Sequence, residues 1–208
     1  MAGCFIALEG LDGSGTTTQR SLLTRALRER GYQVVETWEP TDGPIGGLIR
    51  RFLSGELALD PATVALLFAA DRLEHQRTTI RPGLTSGAVV VSDRYLLSSL
   101  AYQGLDLPLD WVATVNRWAA PPDLTVFLEA PPEVCFARLA VRGRPAEQYE
   151  RLDRLQAVAR AYRRARDAVR LAGGAVRVVD GASDPLTVHQ AVLAAIAPFV
   201  SDAEGRRL

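Results

Sequence analysis

The sequence predicts an α/β fold: a parallel sheet of five strands with helices on both faces. Three observations lead there. A short apolar run at 4–9 passes through a glycine-rich turn straight into a segment of helical periodicity. Strand-like runs and helical stretches then alternate along the chain. One of those runs, Val89-Val90-Val91, is too apolar to face water on either side, as in sheets covered on both faces.

Cys4 to Glu9 reads as the first strand because the run is short and stops at Gly10. From Thr17 to about Arg30, Leu22, Leu23, Ala26 and Leu27 recur at helical spacing, and Gly31 closes the helix. Gln33 to Trp38 is a second strand, ended by Glu39-Pro40. Pro44–Leu53 is a short helix, and Pro61 to about Ile80 a longer one, with Asp60 as its cap and Pro61 in its first turn. The third strand, Val89–Val91, ends at Ser92-Asp93-Arg94. Helices at Leu96–Gln103 and Asp110–Ala119 lead to the fourth strand, Leu124–Glu129. A helix from Pro132 to Val141 is broken by Arg142-Gly143-Arg144-Pro145. Arg151–Leu171 is a long helix, Ala175–Val179 the fifth strand, and Pro185–Phe199 the closing helix. With 208 residues, no repeat and no low-complexity linker, a single domain spanning 1–208 is expected.

Basic and acidic residues both number 24, which argues against a tail that coats nucleic acid. Two cysteines cannot make a dense disulfide framework, and no Cys/His spacing suits structural zinc. No signal-type segment stands at the N-terminus, and no apolar run reaches the roughly 18 residues of a membrane span. The expectation is a cytoplasmic protein with no membrane partner. All 24 basic residues are arginines, so any task usually given to lysine must fall to arginine, a metal or the backbone.

The turn Gly10-Leu11-Asp12-Gly13-Ser14-Gly15-Thr16-Thr17 matches the phosphate-cradling pattern G-x-x-x-x-G-K-[ST] except at Thr16, where lysine belongs. Its glycines let backbone N–H groups converge on phosphate oxygens at a helix N-terminus. Thr17 has the hydroxyl that completes a Mg²⁺ shell. Lysine would reach the β/γ-phosphates, whereas threonine donates one hydrogen bond and has no charge.

Ligands of a parallel sheet collect beyond the C-terminal strand ends, where Asp12, Glu39 and Asp93-Arg94 fall. Asp93 there is a Mg²⁺ ligand and Arg94 a phosphoryl clamp, or the two form an internal ion pair. Phe68 and Arg72, four apart on one helix face and joined by Arg50, suit base stacking and hydrogen bonding to a carbonyl edge; alternatively Phe68 is ordinary core. The segment 142–150 is either a solvated loop or a lid whose Arg142 and Arg144 cover transferring phosphates.

These stretches resemble the thymidylate kinases, a family of phosphate-loop nucleoside monophosphate kinases. The resemblance runs from Phe5 to the last helix, through FIALEGLDGSG at 5–15, EP at 39–40, IR at 49–50, LFAADRLEH at 67–75 and VVVSDRYLLSSLAYQG at 89–104. It implies a phosphate-loop kinase fold with a lid, a homodimer, and transfer of the γ-phosphoryl group from ATP to dTMP with Mg²⁺. By the same resemblance Phe68 stacks on thymine, Arg72 bonds the base, and Ser99 and Gln103 line the thymidine pocket. Tyr102 crowds the sugar 2′ position, Arg50 and Arg94 clamp the acceptor phosphate beside Glu39, and Asp12 is the loop carboxylate. Tyr149 resembles an aromatic that follows the lid. Two departures remove positive charge: Thr16 for the loop lysine, and Trp38 where many members have arginine. Gly13 also lacks the arginine that some members place in the loop. The expectation is that Mg²⁺ and a lid arginine, Arg142 or Arg144, compensate. Two alternatives stay open: a nucleotide-binding protein that has lost transfer, and a related kinase with a different acceptor. No aromatic-rich basic track suggests a nucleic-acid partner.

Overall fold

The computed structural model describes residues 3–141 and 151–200. Five strands form one parallel sheet in the order β2-β3-β1-β4-β5. They are β1 (Cys4–Gly10), β2 (Val34–Trp38), β3 (Val89–Asp93), β4 (Leu124–Glu129) and β5 (Val176–Asp180). With β1 central, the connections run to β3 and β2 on one side and to β4 and β5 on the other. That divergence opens a crevice beyond its C-terminal end. The register aligns Leu8 and Trp38 with Asp93, and Gly10 with Leu128, so the polar strand ends share one edge.

Alternation along β1 fixes the two faces. Ile6 and Leu8 point into a core shared with Leu23 and Leu27 of α1 (Thr16–Glu29) and Val192 and Ile196 of α9 (Pro185–Ile196). Phe5 and Ala7 meet Ile80, Val90 and Tyr95 on the other face. There α5 (Leu96–Tyr102) packs against α8 (Leu152–Leu171), burying Leu100, Val158 and Tyr162. Helices α2 (Pro44–Leu53), α3 (Pro61–His75), α6 (Leu109–Val115) and α7 (Pro132–Ala140) complete the layers around the crevice.

Most element ends fall within two residues of expectation; the closing helix, expected to reach Phe199, ends at Ile196, and two other helices differ in form or length. The helix expected over 61–80 is α in α3, widens to a π turn at Gln76–Ile80, and resumes as α4 (Arg81–Thr85). Pro82 has no N–H to give to Thr78 four residues back, and the Arg81 N–H reaches Gln76 O across the widened turn. The helix expected over 110–119 ends at Val115, because Asn116, Arg117 and Ala119 close tighter i→i−3 bonds instead. The side chain of Asn116 is occupied too, its amide donating to Val112 O. The segment 142–150, with Arg142, Arg144 and Tyr149, lies outside the described residues.

Candidate active site

The turn between β1 and α1 is shaped by its glycines. At Gly13, with φ +86°, a Cβ would stand 2.5 Å from Cys135 O on α7, so no side chain fits and an arginine there is excluded. Gly15 enters α1 with φ +101° and open space around it. No side chain caps α1 and no acidic residue stands in its first turn. Its orphan N–H groups and positive dipole end are therefore left for an anion.

Across the turn the Thr17 hydroxyl donates to Asp93 Oδ2 at 2.6 Å. Asp93 Oδ1 is buried with no hydrogen-bond partner among the described residues. No cluster of three or more His, Cys, Asp or Glu suited to a metal exists among those residues. A hydroxyl and one half-satisfied carboxylate beside a phosphate cradle fit Mg²⁺, which keeps most of its shell as water and substrate phosphate.

Arg94 does not pair with Asp93, its sequence neighbour. It adopts φ +70°, alone among the described non-glycine residues, a conformation that a packed environment has to enforce. Its guanidinium donates to Asp12 at 2.6 Å, Gly10 O at 3.1 Å, and the hydroxyls of Ser98 and Tyr162 at 3.2 and 3.1 Å. Burial works against its charge, yet Tyr102, Asp12, Tyr162 and Asp93 hold its pKa well above the usual arginine value. Beneath it, Glu9 of β1 accepts from the N–H groups of Tyr95 and Ser98 and from the Ser98 hydroxyl. Burial raises the Glu9 pKa, opposed by those hydrogen bonds and by Arg94. Tyr102 donates to the second oxygen of Asp12 at 2.7 Å, and burial keeps its phenol protonated by raising its pKa.

Beside this cage lies a cavity lined by Phe68, Ser99, Tyr102 and Gln103, together with Leu53, Pro40, Asp12 and Arg94. Gln103 Oε1 is buried there without a partner among the described residues, an acceptor waiting for a donor. Arg72 is not part of this lining. It is 1% exposed and stands behind Ser99, whose hydroxyl it bonds at 3.0 Å. It also holds Glu39 at 2.7 Å, Tyr95 O at 3.0 Å and Asn116 Oδ1. Glu39 is gripped from its other oxygen by His75 at 3.0 Å. Arg50 is exposed on α2, where it donates to Pro40 O at 3.0 Å and lies 3.3 Å from Asp42.

A second cleft runs along the turn, bounded by Gly13, Thr16, Thr17, Arg20, Trp38 and Asp93. Asp12 and Arg94 line this cleft as well as the Phe68 cavity. On its far side the turn meets Arg138, which donates to the carbonyls of Gly181 and Ala182 at 2.7 and 2.8 Å and forms a third hollow with residues 181–185. Sequence reasoning missed Arg20, Arg138, Glu9 and Tyr162. Glu9 was readable as a carboxylate inside a buried strand; the others show no motif.

A phosphate cradle at the sheet's divergence point, joined through one Asp–Arg pair to a cavity with an aromatic wall, defines a phosphate-loop kinase of small nucleotides. The family model described as "Thymidylate kinase" matches residues 8–192. A probable thymidylate kinase of Pyrococcus horikoshii is 46% identical over 75% of this chain and 78% of its own length. The thymidylate kinase of Thermomicrobium roseum is 41% identical over 98% of both chains, and the probable enzyme of Thermococcus kodakarensis 40% identical over 95% and 99%. The chain belongs to the thymidylate kinase family.

Proposed function

We propose that the Phe68 cavity takes the acceptor dTMP and that the cleft along the glycine turn takes the phosphates of the donor ATP. As a thymidylate kinase the chain transfers the γ-phosphoryl group of ATP to dTMP, giving dTDP and ADP. One observation supports the division of the site: Asp12 and Arg94 line both spaces, so nucleotides in each would meet over them. Phe68 stacks on the thymine ring, and Gln103 Oε1 accepts the base N–H. Ser99, held by Arg72, presents its hydroxyl to the base, while Tyr102 crowds the 2′ position of the sugar. Arg94 offers its cation to the acceptor phosphate from a fixed geometry, Glu39 lines the adjoining cleft, and Arg50 reaches that phosphate from its place on Pro40 O. Arg138 and the 181–185 turn flank the donor's base.

The acceptor's own phosphate oxygen attacks, so no protein nucleophile is needed. Catalysis is positioning plus stabilisation of charge by backbone N–H groups and arginines. Thr17 and Asp93 would hold Mg²⁺, which neutralises charge on the phosphates when bound. Arg142 and Arg144 are assigned to the donor phosphates, 142–150 to a lid that excludes water, and Tyr149 within it to the dTMP side. The proposed partners are the two nucleotides and a second copy of the chain, with no nucleic acid. The proposed place of work is the cytoplasm; among the described residues no helix is long and apolar enough to cross a membrane.

An ADP-release assay with dTMP, dCMP, dGMP and UMP tests the acceptor assignment. dTMP should be preferred, and Phe68→Ala should lower kcat/KM for dTMP about tenfold or more while leaving the ATP KM near wild type, since base–aromatic stacking contributes about 1–3 kcal/mol. Equal use of dCMP, or an unchanged Phe68→Ala variant, would remove the base from this cavity.

A further inference from the structure

The cleft beside the glycine turn has two cations among the described residues that line it, Arg94 and Arg20. Arg94 is held by Asp12, a carbonyl and two hydroxyls, and in the reading above it serves the acceptor phosphate. Arg20 is different. It sits one turn after Thr16 on α1, hence on the same face, and helical side chains lean back over the turn that precedes them. Its guanidinium therefore overlies the very stretch of helix from which a lysine at 16 would extend. Nη1 of Arg20 lies 3.9 Å from Asp93 Oδ2, the oxygen that accepts from Thr17.

Two residues of β2, on the same face of that strand, hold it there. The guanidinium carbon stands 4.7 Å over the Trp38 ring, and Nε donates to Glu36 at 2.9 Å. Glu36 also lies 3.6 Å from Arg28, so two arginines share that one carboxylate. The Nη donors of Arg20 make no hydrogen bond among the described residues. A planar fork whose Nη groups make no hydrogen bond among the described residues, pinned by an aromatic plate beside a phosphate cradle, suits two phosphate oxygens at once.

We propose that Arg20 is the fixed phosphate-binding cation of this nucleotide site, in the role that a lysine at 16 would fill. Trp38 is part of the same device: the position contributes a stacking surface for a cation that comes from α1. The proposal rests on the kinase reading of the cleft, and wild-type formation of dTDP from ATP and dTMP checks that reading separately.

The test compares Arg20→Gln, Arg20→Met and Arg20→Gln combined with Thr16→Lys. Binding of ADP and of inorganic tripolyphosphate is measured by calorimetry without Mg²⁺, beside kcat and the dTMP KM with it. Arg20→Gln should weaken both ligands about tenfold or more and lower kcat by a similar factor, with the dTMP KM within about twofold of wild type. Adding Thr16→Lys should restore binding and turnover, because a lysine there supplies the missing charge by the other route. Unchanged binding in Arg20→Gln would overturn the proposal. So would a loss that Thr16→Lys leaves uncorrected, since that marks a packing role for the α1–β2 contact. If Arg20→Gln does not fold, Arg20→Met, with similar reach and no charge, is read against the same outcomes.

Discussion

Arg72 shows how a residue can matter to a site without lining it. Its hydrogen bonds go to Glu39, Ser99, Asn116 and Tyr95 O, so it fixes two side chains that border the nucleotide spaces. Arg72→Ala would leave the Glu39 carboxylate buried with His75 as its remaining side-chain partner. Breaking such a pair costs about 3–5 kcal/mol. The expected outcome is a marked fall in Tm together with a kcat/KM for dTMP lower by an order of magnitude or more. Thermal melts and acceptor kinetics on one preparation check both; a normal Tm with unchanged kinetics would show Arg72 to be dispensable. Spacing placed Phe68 and Arg72 on one helix face, yet Phe68 borders the cavity and Arg72 lies beneath it. Helical periodicity gives direction around the axis but not depth, and depth is set by what packs above.

At the scale of elements, α3 and α9 start alike, with an aspartate cap followed by proline. Asp184 accepts from the N–H groups of Leu186 and Thr187 at 3.0 and 3.1 Å and from the Thr187 hydroxyl. These bonds, the hydroxyl first, lower its pKa from the ordinary 3.8. A depressed carboxylate pKa contributes stability that is full above the unfolded value and is lost as pH falls through the folded one. Asp184→Ala should therefore lower Tm at neutral pH, and the gap from wild type should close on the acid side of 3.8. Melts across that range decide it; a gap independent of pH would assign the effect to something other than the charged cap. The Asp60 cap was read from Asp-Pro before an apolar helix, and Asp184-Pro185 repeats that signal. The π turn before Pro82 was not, since a lost hydrogen bond can be met by a kink, a break or a widened turn, and tertiary packing chooses.

For the whole molecule, α2 and α3 carry Leu48, Leu66 and Leu73 at 40%, 51% and 40% exposure. The proposed homodimer would cover this apolar strip. Leu66→Glu with Leu73→Glu should shift light-scattering mass from dimer to monomer while the monomer keeps its fold by circular dichroism. A monomeric wild type would dismiss the dimer outright.

The sequence by itself determined the strand and helix order and the phosphate turn, and it offered Thr17 and Asp93 as separate candidates, because each follows from local periodicity, glycine geometry or a short motif. It also named Phe68, Ser99, Tyr102 and Gln103, which the fold brings to one cavity, and Asp12 and Arg94, which it sets between two. Only the tertiary structure decided how charge is distributed. It joined Arg94 to Asp12 across 82 positions and Tyr162 to Glu9 across 153. It also placed Arg20 over Trp38 at a cleft where lysine is absent. An arginine on an amphipathic helix looks like a solvated residue until the neighbouring strand supplies its plate and its carboxylate, and no pattern within α1 records that.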